Sequence, residues 1–140
     1  MKIAIDFDGT IVEHKYPAIG KENLFAFETM RELQKQKHQL ILWTYRSGKE
    51  LDDAVEFCRD RDVEFYAVNK SFPEEVYDES ISRKIDADLF IDDRNIGGFP
   101  GWSAVWQMLN PDDAEKVKEL KRIQAENAAR KKKKGLFRSR

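Results

Sequence analysis

Lys2-Ile3-Ala4-Ile5-Asp6-Phe7-Asp8-Gly9-Thr10 opens the chain, and its apolar run ends in two carboxylates one residue apart, then a glycine and a hydroxyl. Ile3, Ala4, Ile5 and Phe7 fit a strand buried on both faces, the pattern of a parallel sheet covered by helices. Carboxylates at the end of such a strand cost free energy unless something cationic meets them. The carboxyl ends of the strands in an open α/β sheet are also where ligands bind. The stretch therefore reads as one wall of an active site.

Working outward, strand and helix patterns alternate. Asn23 is placed to cap a helix running to about Gln36, and Leu40–Thr44 reads as a second buried strand. Ser47-Gly48 turns the chain into a helix carrying Leu51, Ala54, Val55 and Cys58. Val63–Val68 reads as a third strand, Asn69–Arg83 as a loop, and Asp88–Ile91 as a fourth strand that stops at Asp92-Asp93. Trp102, Val105, Trp106 and Leu109 recur at helical spacing and predict a helix after Pro100-Gly101. This order predicts an α/β domain over residues 1–110: a Rossmann-like parallel sheet with helices on both faces and no separate cap domain. Only 33 residues lie between Thr10 and Thr44, and they already hold a helix and a strand. The loops Gly9–Lys21 and Asn69–Arg83 are then the local covers of the site.

Charge divides the chain differently. Residues 1–110 hold 14 Lys/Arg against 21 Asp/Glu, a net −7, whereas residues 111–140 hold 11 against 5, a net +6. The second segment predicts a helix from Ala114 to about Arg130, with a sparse stripe of Val117, Leu120 and Ile123. Beyond it, Lys131–Lys134 and the residues to Arg140 predict a disordered basic tail. Such a tail could hold nucleic acid or an acidic partner by counterion release, although Lys/Arg runs are more often simply solvated. No apolar run reaches the roughly 18–20 residues of a membrane span. Cys58 is the single cysteine, which excludes an internal disulfide and a thiolate zinc site. These features predict a cytoplasmic protein with no membrane contact.

Acidic residues end two of the predicted strands, Asp6/Asp8 and Asp92/Asp93, and a hydroxyl, Thr44, ends another. A parallel sheet gathers these ends on one edge, where four carboxylates repel strongly. A hard cation such as Mg²⁺ relieves that repulsion and keeps coordination sites for water and a substrate phosphate. Given Mg²⁺, one carboxylate of an Asp-x-Asp pair can attack phosphorus, and the other can carry the proton to and from the leaving and attacking oxygens. Gly9, which lets the backbone turn, and Thr10 and Tyr45, which flank the motif residues, are candidate substrate contacts with Arg46 and Lys70, and Thr44 can donate to a phosphate oxygen. Arg46 and Arg94 each suit either a phosphate contact or a structural ion pair with the acidic cleft. His14 and His38 read as surface residues, and the three tryptophans as packing residues.

Asp6-Phe7-Asp8-Gly9-Thr10, the strand ending in Thr44, and Ile91-Asp92-Asp93 resemble, in order, the motifs of the haloacid dehalogenase-like phosphohydrolase superfamily. The run Lys84–Arg94 is also similar to the corresponding region of its 5'(3')-deoxyribonucleotidases, and the whole chain to small bacterial members without a cap. The resemblance implies that Asp6 is the nucleophile, Asp8 the general acid/base and Thr44 the phosphate-binding hydroxyl. It implies Mg²⁺ on Asp6, the Asp8 main-chain carbonyl and Asp92, with Asp93 in support. It also implies a lysine that balances phosphate charge. Lys84 lies eight residues before Asp92 and is favoured; Lys70, 22 residues before it, is the alternative. The implied activity is hydrolysis of a phosphate ester through an aspartyl-phosphate, the substrate being a nucleotide or a phosphorylated macromolecule. A phosphotransferase of the same fold, a receiver-like signalling domain and a non-catalytic scaffold are the rivals. Since little chain is left to cover the site, either the substrate is large or a second copy closes the cleft.

Overall fold

Strand β1 (Lys2–Ile5) is central because its residues are apolar on both sides: Ile3, Ala4 and Ile5 are all buried. It pairs in parallel with β2 (Gln39–Leu42) on one side and β4 (Leu89–Ile91) on the other, while β3 (Ala67–Val68) pairs with β2. The resulting sheet has the order β3-β2-β1-β4. The computed structural model describes residues 1–138, apart from the side chains of several residues in the last helix. Helix α1 (Ala26–Lys35) joins β1 to β2 and packs along β2, and α2 (Gly48–Arg59) joins β2 to β3. The fold is thus the Rossmann-like α/β architecture expected, and among the described residues no inserted cap domain interrupts it.

Strand order carries the main functional consequence. The chain steps from β1 through β2 to β3, then returns across the sheet to lay β4 on the far side of β1. The connections leaving the ends of β1 and β4 diverge there, which is where open α/β sheets form their ligand crevice.

Register sorts the core. Ala4 is opposite Ile41 and Phe90, and Ile41 is opposite Ala67, so these residues share one face of the sheet. Ile85 and Ala87, from the segment before β4, pack against that face, with Trp43 and Tyr66 at its edge. Ile3, Ile5, Leu40 and Leu42 alternate onto the other face and are buried. Phe57 of α2 meets Phe7 at 6.1 Å and Phe27 of α1 at 6.0 Å, edge-on and tilted, which ties both helices to the end of β1.

Element ends depart from expectation where side chains have other partners. Asn23 is no helix cap: its side-chain amide donates to the Thr10 carbonyl (2.9 Å), and α1 begins three residues later behind Phe25 in a left-handed conformation (φ 65°). The third strand shrinks from the expected six residues to Ala67–Val68: the chain before it is still turning out of α2 at Val63, and the Tyr66 amide is bonded to the Leu40 carbonyl of β2 (2.8 Å). Asp62 is left-handed (φ 61°) and the Val63 amide bonds back to Cys58.

Two compact units, Met1–Ser103 and Ala104–Arg140, divide the chain seven residues before the expected boundary. The division falls within α3 (Trp102–Leu109). In the second unit, Asn110 closes α3 on the Trp106 carbonyl, and α4 (Pro111–Arg138) starts with proline at its first position and Asp112 and Asp113 in its first turn. This helix starts earlier than expected and carries Lys131–Lys134 on its final turns, where disorder was expected. Lysine and arginine are good helix formers, and cations suit a helix C-terminus. Ile123 is largely exposed, while the expected Val117 and Leu120 contacts, Ser139 and Arg140 lie outside the described residues. No described helix is long and apolar enough to cross a membrane.

Candidate active site

The strand ladder brings two of the carboxylates together. After the last paired residues Ile5 and Ile91, the Asp6 amide donates to the Ile91 carbonyl (3.0 Å), so Asp6 leaves β1 beside the residue that leads into Asp92. Carboxylate oxygens of Asp6, Asp92 and Asp93 all lie within 4.8 Å of one another. The backbone at Gly9 is left-handed (φ 88°), and a Cβ there would sit 2.2 Å from Asp93 Oδ2. Only glycine allows the turn and the carboxylate to occupy the same place.

This clustering governs the charge on Asp6. Burial, the charges of Asp92 and Asp93, and a hydrogen bond with Asp93 push its carboxyl up to about 8. The Thr10 hydroxyl, which donates to Asp6 Oδ2 (3.1 Å), opposes that rise. Thr10 is itself fully buried, and its carbonyl accepts from both Asn23 and the Trp102 indole (2.8 Å). Three carboxylates held this close repel one another, and their all-oxygen donor set is the kind Mg²⁺ takes.

Asp8 has a partner of its own. Arg46 Nε and Nη2 donate to Asp8 Oδ2 and Oδ1, both at 2.8 Å. The guanidinium is buried, and its other bonds run to the carbonyls of Ala18 (2.8 Å), Pro17 (3.0 Å) and Glu50 (3.3 Å). All five N–H groups are therefore spent, and Phe7 and Tyr16 flank the group at 5.1 and 5.2 Å. The fork to Asp8 holds the Arg46 pKa above its usual value against the opposing effect of burial. Of the two roles weighed for Arg46, the structure displays the ion pair, with every donor engaged inside the protein.

Thr44 follows β2 and is oriented through its backbone. Its amide donates to Asn69 Oδ1 (2.8 Å), and its Oγ1 accepts from the Arg46 amide (3.2 Å), which leaves its hydroxyl proton free to donate. Asn69 is left-handed (φ 54°) and directly follows β3, so adjacent strand ends brace each other.

Asp6, Asp8, Thr44, Tyr45 and Asp92 line one cleft of about 430 Å³, together with His14, Tyr16 and Arg94. His14 and Tyr16 belong to the Gly9–Lys21 segment, which folds back as expected of a local cover: the Glu13 amide bonds to Lys21, and Ile11 and Val12 are buried beneath. Reading the sequence for motifs passes over His14 and Tyr16, and their signal is position alone. Neither lysine lines the cleft. The Lys84 ammonium lies over the ring of Phe90 (5.6 Å), two residues before Asp92. Lys70 directly follows Asn69, which holds Thr44.

Fold and site define an α/β protein with an acidic crevice at the strand ends. A solved structure of a conserved protein coded by locus from Bacteroides thetaiotaomicron is similar to this chain at 57% identity and a TM-score of 0.76, covering 80% of this chain and 91% of that one. The chain belongs to the same family as that conserved protein. No family model matches the chain, and no curated protein does.

Proposed function

We propose that the protein is a Mg²⁺-dependent phosphomonoester hydrolase that works through an aspartyl-phosphate on Asp6. The observation that carries this reading is the convergence of Asp6, Asp92 and Asp93 within 4.8 Å, with Asp6 and Asp92 lining a cleft shared with Asp8 and Thr44. The resemblance of the three motifs to the haloacid dehalogenase-like superfamily supports it. Asp6, Asp92 and Asp93 would hold Mg²⁺, which when bound offsets carboxylate repulsion and polarises the phosphate.

The remaining chemistry belongs to the chain. A carboxylate oxygen of Asp6 attacks phosphorus as the ester P–O bond breaks, and Asp8 gives its proton to the departing alkoxide. Water then attacks phosphorus and gives a proton to Asp8, while the Asp6–phosphate bond breaks and inorganic phosphate leaves. Asp8 can carry that proton only when one of its oxygens is released from the Arg46 fork, so a shift in this pair accompanies turnover. Thr44 donates to a non-bridging oxygen, and Arg94 is the exposed cation that lines the cleft. Lys84, whose ammonium rests beside Phe90 close to the end of β4, is the favoured lysine to join them, with Lys70 the alternative. Cys58 is buried, its thiol pushed up to about 12 by desolvation, and fits the reducing cytoplasm.

The test is phosphate release over a panel of phosphate esters with and without Mg²⁺. Turnover should require the metal, vanish in Asp6→Asn and fall strongly in Asp8→Asn. An Asp6→Asn variant as active as wild type would exclude the covalent route.

A further inference from the structure

The last helix, α4, changes character halfway along. Residues 111–126 hold four cations and five acids, a net −1, whereas residues 127–138 hold six cations and no acid, a net +6. In the first part cations are answered within the helix: Lys118 pairs with Glu115 (3.7 Å) and Arg122 with Glu119 (4.0 Å). In the second part Arg130 and Lys131–Lys134 are all exposed, and among the described residues none of them has an acidic partner. Successive helical residues turn by about 100° and rise about 1.5 Å. The four lysines therefore surround the helix axis within about 4.5 Å of its length and do not form a stripe. Arg130 and Lys134, four residues apart, are a like-charge pair of the kind that weakens a helix by about 0.2–0.5 kcal/mol. A polyanion would relieve that strain.

We propose that the C-terminal half of α4 binds double-stranded DNA, lying in the major groove and held by phosphates on both of its sides without regard to base sequence. Charge on every side of the helix discriminates between polyanions. A flat anionic surface meets only the half of a cylinder that faces it. From Ala125 to Gly135 alanine is the only apolar side chain, so this stretch has no apolar face to enter lipid. A groove lined by two phosphate backbones meets the cations on both flanks. The major groove of B-form DNA is about 12 Å wide and admits a helix of about 10–12 Å diameter, whereas that of A-form RNA is too narrow. Lysine contacts to phosphate add affinity and position the protein but read no bases. Residues 1–110, at a net −7, repel a polyanion, so the attraction belongs to α4. The proposal is independent of the chemistry assigned to the acidic cleft.

The experiment is fluorescence anisotropy of a labelled mixed-sequence DNA duplex of about 20 base pairs, titrated with the full chain in EDTA between about 50 and 200 mM salt. Four or five phosphate contacts give a slope of about −3.6 to −4.5 in log K against log salt, so affinity should fall about 150- to 500-fold over that range. Lys131→Gln with Lys133→Gln keeps helix propensity and should make the slope shallower by about 1.8. Lys118→Gln with Arg122→Gln removes the same charge from the paired part of the helix and should leave the slope as it was. No binding at the lowest salt would overturn the proposal. Equal slopes for the two double variants would also overturn it, since net charge and not this segment would then hold the duplex. A single strand, or a phosphatidylserine vesicle, bound as tightly as the duplex would overturn it too, because neither offers a two-sided groove.

Discussion

Stripped of divalent metal, the protein should lose stability as the pH rises from 4 to 8.5, and Asp6 sets most of that loss. Its carboxyl rises from an ordinary 3.8 to about 8 in the folded chain, chiefly through burial and then through Asp92 and Asp93. The folded state therefore holds this proton more tightly than the unfolded state does. Below pH 4 both states are protonated and the benefit of that bond is fully present. Between the two values the unfolded chain releases its proton while the folded chain keeps it, so stability falls until both are ionised above pH 8. Four units at about 1.36 kcal/mol each set a ceiling of about 5–6 kcal/mol. Because Asp6 is only partly buried, solvent screening reduces this to about 2–3 kcal/mol, still a large share of the ~5–15 kcal/mol typical of a domain. Urea denaturation in EDTA at half-unit pH steps, on wild type and Asp6→Asn, measures it. The difference between the two curves isolates Asp6 from every other titrating group. Saturating Mg²⁺ at pH 8 should restore the lost stability, since the cation takes the place of the proton. Parallel curves for wild type and Asp6→Asn across this range would refute the account of the cluster.

The other predictions concern groups around that cluster. Arg46→Met removes the charge that pairs with Asp8 and the donors that serve three carbonyls; it should cost about 3–5 kcal/mol in chemical denaturation, as breaking a buried ion pair does. A loss below 1 kcal/mol would show that Asp8 finds water instead. Gly9→Ala places a methyl on Asp93 in a left-handed turn, so it should destabilise by about 1–3 kcal/mol and weaken Mg²⁺ binding, read by calorimetry. Lys84→Ala should reduce phosphatase turnover more than Lys70→Ala, and the reverse order would assign the charge-balancing role to Lys70.

Local chemistry made much of this site legible before any fold was known. Asp6, Asp8, Thr44, Asp92 and Asp93 stand out because each follows an apolar strand, and a buried run of that kind announces itself within a few residues. Partners across the fold were harder to read. Arg46 suited a phosphate as well as an ion pair until its five donors had been assigned, and those involve residues up to 38 positions away. Lys84 and Lys70 both have workable spacing from Asp92, and spacing along a loop does not say where either ammonium comes to rest. His14 and Tyr16 carry no motif and become cleft residues only when their segment folds back over β1.

The sequence by itself determined which strands are apolar and which acids end them, because hydrophobic periodicity acts over neighbouring residues. Tertiary structure decided which acids meet and which of them Arg46 answers. The pairing of β4 beside β1 puts Asp92 and Asp93 against Asp6, and the burial of Arg46 gives Asp8 a different partner. Strand order and long-range register made those choices, since an electrostatic contact depends on distance in space and not on separation along the chain.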